Sequence, residues 1–419
     1  MKPILFVLAF ALLTCGPSPQ PKPPKPAVCS ADASWLTNPT MPNEVASAES
    51  FCDFYQFSWQ WFLAQMSPSK APRYKYRPAL FRNRVYQPNG GTNQCANAPV
   101  TGVDGAVQAL LLRAIKPSQF EDKQADGNAV YDQRGNVLYF NVFYSQQLCD
   151  ATANGFVKGT LEVKVSWKIL PAHARQTYFT MQAKIPGHAT DVTLGMVGIH
   201  LAIWTPNHPE MIWATWEHKS NAPLCDGSSS TKGWSFAARD AAECLKANPQ
   251  SQSGPPSTKC DSFNFNTPVQ QRGAPAPTGV ATNVCREYAS GNQEGPSVNG
   301  NDNAANLAAI KELNEALVGA KGLLTKLPSH NPMSVWSNYE MVGALWTKGG
   351  ADSGSPPVPS KQGAANVSSL QRGSLELTNM SMETFQQGDS SFVPNCFGCH
   401  NYTKAKPLDV SHISKFLLP

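Results

Sequence analysis

Eleven cysteines constrain the fold of this 419-residue chain more strongly than any other feature of its sequence. Three lie in distinctive contexts: Cys15 follows an apolar N-terminal stretch, and Cys396 and Cys399 form a C-x-x-C-H sequence near the C-terminus. The remaining eight are Cys29, Cys52, Cys95, Cys149, Cys225, Cys244, Cys260 and Cys285. An even set of eight in an exported chain predicts four disulfides. Proximity in the sequence indicates that the last four bond to one another.

The N-terminus has the pattern of an export signal, which we predict over residues 1–15. Lys2 supplies a positive charge, and the apolar stretch 4–13 is too short to span a bilayer. Thr14 then precedes Cys15, a pattern that predicts a lipoprotein signal with a lipid anchor on the cysteine. Ordinary signal cleavage, giving a secreted form without lipid, stays open. The expected location is the periplasm or the outer membrane surface, with membrane contact only through Cys15.

Composition and charge indicate which partners and which domain organisation to expect. The net charge is +5, and the 34 Lys and Arg residues are scattered along the sequence. Because they form no basic stripe, no nucleic-acid partner is expected. Residues 16–42 begin with a proline-rich run (GPSPQPKPPKPAV), which predicts an extended tether. Residues 43–419 are expected to form one domain.

The middle of the chain has the residue pattern of an antiparallel β-sheet. Residues 161–167 (LEVKVSW) alternate strictly between apolar and polar, which predicts a strand with one solvent-exposed face. Other strands are expected over 129–131, 137–144, 178–185, 192–204 and 211–216, the first two joined by a turn at 132–135. Closely spaced strands of this kind pair antiparallel.

Helices and a long irregular insertion complete the predicted α+β fold, in which helices pack on the antiparallel sheet. Helices are expected over 44–66, 104–115, 302–318 and 375–387, and residues 334–347 form a further apolar element of undecided type. Residues 219–302 are rich in Ser, Gly, Asn, Pro and Gln. Such a long insertion needs disulfides to hold it, and its four cysteines can supply them.

Cys396, Cys399 and His400 carry the clearest chemistry in the sequence. C-x-x-C-H is the attachment motif of c-type haem. Two thiols three positions apart can add to the two vinyl groups of the porphyrin, and the adjacent imidazole becomes the proximal iron ligand. One motif predicts one covalent haem c, carried by a C-terminal segment over 374–419. A redox-active dithiol and a structural disulfide between the two cysteines are the alternatives.

The sixth iron ligand decides between an electron carrier and an enzyme, because a filled position favours electron transfer and an open one permits chemistry on peroxide or oxygen. His412 lies close enough in the sequence to reach around the porphyrin edge. Met380 or Met382, just before the motif, is the second choice. A remote histidine, water or an open position completes the alternatives.

A second group of polar residues lies around the strand at 211–216. His200, His208, Glu210, Glu217 and His218 could bind a metal or perform acid–base chemistry if separate strands brought them together. Their spacing fits no helical zinc motif. The alternative is that they are polar residues at the ends of strands.

Several segments resemble a group of secreted bacterial cytochrome c family proteins with a single C-x-x-C-H. These segments are 57–64 (FSWQWFLA), 212–218 (IWATWEH), 382–385 (METF), 396–400 (CFGCH) and 410–413 (VSHI), so the resemblance spans about residues 50–415. It implies a haem-binding, electron-transferring protein and names no substrate.

Three functions follow as hypotheses. The first is an extracytoplasmic carrier of single electrons that exchanges them with a redox partner protein. The second is a haem-dependent, peroxidase-like oxidoreductase in which Glu217 and His218 line a substrate pocket. The third is a lipoprotein that binds haem without catalysis.

Overall fold

The computed structural model describes most of the chain outside the N-terminus and several loops. The described residues are 28–47, 50–68, 80, 84–86, 93–96, 128–171, 174, 176–183, 185, 188–229, 233–249, 259–268, 280–288, 300–348, 370–387, 396–400 and 402–418. The predicted signal peptide, the proline-rich start of the tether and the predicted helix at 104–115 lie outside these ranges.

Eight strands in the described ranges form one antiparallel sheet, where the sequence predicts an antiparallel sheet of five or six strands. The strands are β1 (Arg84–Val85), β2 (Tyr139–Tyr144), β3 (Leu161–Ile169), β4 (Thr180–Ala183), β5 (Val192–Thr205), β6 (His208–His218), β7 (Tyr339–Thr347) and β8 (Gln371–Gly373). Seven of them follow the order β1-β2-β3-β5-β6-β7-β8, and β4 pairs with the start of β5. Tyr131 and Val137 form a bridge across the predicted turn.

Two sixteen-residue helices, α2 (Phe51–Met66) and α4 (Asn303–Val318), pack on one face of the sheet. The side chains of Ser50 and Asp302 cap them by accepting hydrogen bonds from the third residue of each helix. Helix α2 therefore begins later than the predicted 44–66, whereas the boundaries predicted for α4 are nearly correct. Aromatic residues of α2 stack on strand residues, as Phe62 does on Trp216. This face is the main hydrophobic core.

Three shorter helices, α1 (Ser34–Thr37), α3 (Arg239–Ala247) and α5 (Ser414–Leu417), lie at the periphery. Residues 28–42, predicted as the end of the tether, are held against the body. Cys29 forms a disulfide with Cys52 in α2, and the Cys29 amide donates to Glu312 in α4.

The helix predicted over 375–387 is wrong, since these residues form successive turns. Polar contacts with the sheet replace helical hydrogen bonds. The Asn379 side chain donates to Thr215 Oγ1, and the Met380 amide donates to Glu217. The Asn379 amide donates to Glu383 Oε2. Asn and Ser side chains compete in this way with helix formation.

Four disulfides hold the described structure, as expected. They join Cys29–Cys52, Cys95–Cys149, Cys225–Cys285 and Cys244–Cys260. The last two lie within the insertion and confirm that its four cysteines bond to one another. Four disulfides are typical of proteins in oxidising, extracytoplasmic compartments. Within the described ranges, we find no helix that combines the length and apolar character needed to cross a bilayer.

Candidate functional site

The C-x-x-C-H residues lie on the face of the sheet opposite α2 and α4. Strand pairing places Glu162, Ala202 and Trp213 in one row across this face, because Glu162 pairs with Ala202 and Ala202 with Trp213. Cys396 and Phe397 pack in the apolar cluster that contains Ala202 and Trp213. The C-terminal segment therefore covers the face of β3 that the sequence predicts to be solvent-exposed.

Cys396 and Cys399 are the two free cysteines among the described residues. The segment Cys396–Gly398 forms a 3-10 turn, and the amides of Cys399 and His400 both donate to the Cys396 carbonyl. Both cysteines are half-buried. No disulfide joins them, so the structure does not contain the structural disulfide that was the alternative for this motif. Burial raises the pKa of the Cys396 thiol well above its usual value, and the charge of Glu383 raises it further. Both thiols of the motif are thus available as neutral SH groups.

The imidazole of His400 has its Nδ1 atom fixed by the backbone. Nδ1 lies 2.8 Å from the Val410 carbonyl oxygen and donates to it, because a carbonyl can only accept. Desolvation of the ring, followed by the proximity of His412, holds the pKa of His400 well below its usual value. The ring is therefore neutral with the lone pair on Nε2, which is the state that ligates a metal.

Two aromatic rings pack against the His400 ring. The Trp213 ring centroid lies 4.2 Å away at an interplanar angle of 38°. The His412 ring stacks on the His400 ring, with centroids 4.0 Å apart and an interplanar angle of 15°. His412 Nε2 also lies 3.1 Å from the Cys399 carbonyl oxygen and donates to it. His412, the first choice for the sixth ligand, thus lies beside His400.

Met380 and Met382 lie away from the residues that contact His400. Both are fully buried in a separate apolar cluster whose other buried members are Val130, Leu138, Phe140, Leu170, Tyr178, Val197, Phe236 and Val284. Their packing is that of core side chains. Iron ligation by either methionine stays a prediction.

Charged groups of β3, β5 and the turns at 375–387 adjoin the motif. His200 Nε2 lies 3.0 Å from Glu383 Oε1, and His200 pairs with Lys164 in the strand register. Burial by itself would raise the pKa of Glu383, but the charge and hydrogen bond of His200, together with Lys164, lower it below the usual value. Glu383 is therefore a carboxylate with His200 and Lys164 as its neighbours.

The second polar group predicted from the sequence is dispersed. His208 pairs with Glu210 at 2.9 Å, while Glu217 forms a buried ion pair with Arg286 at 2.7 Å. His218 stacks on the Tyr178 ring. Among the described residues, no group of three His, Cys, Asp or Glu side chains is arranged to hold a metal ion. These side chains have partners within the fold, and a functional role for the group stays a prediction.

Glu162 connects the sheet to the segment that fixes His400. Ser411, the residue after Val410, donates to Glu162 Oε2 at 2.6 Å. Burial raises the pKa of Glu162 to about 7, although this hydrogen bond and Lys164 act in the opposite direction. Sequence reasoning missed this contact because it placed Glu162 on a solvent-exposed face. The available signal was the pair of charged residues, Glu162 and Lys164, within a strand of a chain that has few charges.

We expect Glu162→Gln to stabilise the protein at pH 8 and to change its stability little at pH 5. A carboxyl whose pKa is raised on folding opposes folding above that pKa, so stability falls as the pH rises from about 4.5 to 7. Removing the charge should recover roughly 1–3 kcal/mol at pH 8. Urea unfolding at the two pH values measures this difference. The exposed Asp191→Asn is the control, and an equal effect of Glu162→Gln at both pH values would contradict the account.

No protein-family model, curated protein or solved structure matches this chain. Two free thiols beside a neutral imidazole, whose Nδ1–H is already bonded, form the donor set that covalent attachment of haem c requires. The residues present fit that group.

Proposed function

We propose that this protein is an extracytoplasmic c-type cytochrome that carries one covalent haem c and transfers single electrons. The observation that carries the proposal is the state of the C-x-x-C-H motif. Its two cysteines are free, while the other eight described cysteines are all paired. A chain that forms disulfides elsewhere and leaves these two thiols unpaired keeps them for another reaction.

Each residue of the motif has a distinct role in the proposal. Cys396 and Cys399 form the thioether bonds, and His400 binds the iron through Nε2. The bound haem supplies exchange of one electron between ferric and ferrous iron. Val410 holds the His400 ring through Nδ1, an arrangement that makes the imidazole a better ligand.

The surroundings support attachment to a rigid part of the fold. Trp213 contacts His400 from a central strand, β6, which pairs with β5 on one side and β7 on the other. Ser411 ties the C-terminal segment to Glu162 in β3. A ligand held by neighbouring strands reorganises little when the iron changes its oxidation state, and this favours electron transfer.

The disulfides and the N-terminal sequence support a location outside the cytoplasm. We propose the periplasm or the outer membrane surface, with Cys15 as the lipid anchor and a redox protein as the partner. The chain's scattered basic residues give no reason to expect nucleic acid.

The test is spectroscopy of the full chain produced in a bacterium with working haem-attachment machinery. The proposal predicts one haem per chain that resists extraction and cycles reversibly between ferric and ferrous states. The ferric haem should be low-spin and should not react with peroxide. After reduction, the ferrous haem should not bind carbon monoxide. High-spin haem that binds carbon monoxide and turns over peroxide would contradict the carrier and favour the peroxidase-like hypothesis. Protein made without the attachment machinery is the control and should be colourless.

A further inference from the structure

We propose that His412 is a positioning residue that holds the proximal imidazole of His400, and that it is not the sixth iron ligand. This inference rests on the proposed function, because it concerns the ligand that would hold the haem. It replaces the assignment that the sequence favours. Three observations support it: the stacking of the two imidazole rings, the hydrogen bonds of residues 410–412 and the contact of Trp213 with His400.

The first observation is the stacking of the two rings. The centroids of His400 and His412 are 4.0 Å apart, and the rings are nearly parallel, at 15°. Two imidazoles that bind one iron from opposite sides point their nitrogens at each other. With metal–nitrogen bonds of about 2 Å on each side, their centroids would lie roughly 6 Å apart. A stacked pair presents its faces instead, so His412 lies alongside the proximal ligand.

The second observation is the set of hydrogen bonds made by three consecutive residues. Val410 accepts from His400 Nδ1, Ser411 donates to Glu162, and His412 donates from Nε2 to the Cys399 carbonyl. Residues 410–412 therefore make two hydrogen bonds to the motif and one to the sheet. If His412 ligated iron through Nε2, the bond to Cys399 would have to break.

The third observation is that Trp213 also packs against the His400 ring. Its centroid is 4.2 Å from that of His400, and its indole Nε1 donates to the Glu210 carbonyl, which fixes the indole in place. With two rings packed against it and Nδ1 bonded to Val410, the His400 ring has Nε2 left for a metal. The ring orientation is thus determined before the haem arrives.

Full-length chains carrying haem and one substitution at His412 test this proposal. His412→Phe keeps a flat ring and removes every nitrogen, and His412→Ala removes both the ring and the nitrogens. The exposed His330→Ala is the control. Two properties are measured: the spin state and carbon monoxide binding, which report an opened sixth position, and the line width of the ferric electron paramagnetic resonance signal, which reports the spread of His400 ring orientations.

The proposal predicts that neither variant changes the spin state or gains carbon monoxide binding. His412→Ala should broaden the resonance signal, and His412→Phe should keep the line width of the unmodified chain. Conversion of both variants to high-spin haem that newly binds carbon monoxide would show that His412 is the sixth ligand. An unchanged line width in His412→Ala, or equal broadening in both variants, would overturn the positioning role.

Failure of the proposed function gives a different result. If the unmodified chain carries no haem, the mass of the protein reveals it directly. The contact between Trp213 and His400 can then be detected in the haem-free chain by nuclear magnetic resonance, because the ring current of Trp213 shifts the resonances of the carbon-bound ring protons of His400. Loss of that shift in Trp213→Leu supports the described packing around His400, and an absent shift contradicts it.

Discussion

Replacing both Cys396 and Cys399 with serine is expected to abolish covalent haem while leaving the protein folded. The two thiols are the free cysteines of the described structure, and they lie in a short turn outside the sheet. Each single substitution should leave one thioether bond and a lower yield of haem protein. His400→Ala should keep both bonds and lose the proximal ligand. Intact mass under denaturing conditions, together with the ferric absorption spectrum, separates these variants.

The matched control removes two cysteines from elsewhere in the chain. Cys244→Ser with Cys260→Ser opens one disulfide of the insertion and should leave the haem content unchanged. Retention of covalent haem in the Cys396→Ser, Cys399→Ser chain would place the attachment on other cysteines. Circular dichroism of each variant shows that an absent haem reflects lost thiols and not a lost fold.

Trp216→Ala is expected to destabilise the protein by about 3–5 kcal/mol, because it leaves a large cavity in the main core. Trp216 is fully buried, stacks on Phe62 with centroids 4.6 Å apart and contacts the edge of Trp59. No hydrogen-bond partner for its Nε1 lies among the described residues, so the cost comes from packing. Urea unfolding followed by circular dichroism measures the change.

Trp213 is the natural comparison because it lies on the same strand and packs in the cluster that contains Cys396 and Phe397. Trp213→Phe keeps a ring against His400 and should cost less stability than Trp216→Ala. Its main effect should appear in the spectrum of the haem. If Trp216→Ala changed stability by less than Trp213→Phe, the core would not lie between the sheet and helices α2 and α4 as described.

The strands were the most predictable part of the fold, because alternation is a local signal. Strand β3 shows this clearly: LEVKVSW predicts its position and the side on which Val163 and Val165 are buried. The same pattern predicts that the other face is exposed to solvent, which is wrong, because the C-terminal segment covers Glu162. The segment that covers this face lies more than 200 residues further along the chain, so the sequence around Glu162 does not indicate it.

The predicted helix at 375–387 failed for a related reason. Its apolar spacing suits a helix, but Asn379, Met380 and Glu383 make contacts with strands or with one another that satisfy the backbone in turns. Residues 334–347 were recognised as apolar without a type. The structure divides them between a 3-10 segment, Pro332–Asn338, and strand β7, because the apolar character runs through both.

The candidate site was predictable at its centre and not at its edges. The C-x-x-C-H motif is contiguous, so Cys396, Cys399 and His400 can be found from spacing alone. The partners of His400 could not be identified from the sequence. Trp213 lies in a strand far from the motif along the chain, and Val410 contributes a backbone carbonyl, which any residue could supply. The role of His412 required the ring geometry, which spacing cannot supply.

The central claim is that two thioether bonds attach one haem at Cys396 and Cys399. The most direct measurement is tandem mass spectrometry of peptides from the full chain, matured in a bacterium that attaches haem. We expect a single haem on the peptide that contains both cysteines, with each sulfur bonded to it. Unmodified thiols on that peptide, or a disulfide between Cys396 and Cys399, would contradict the account.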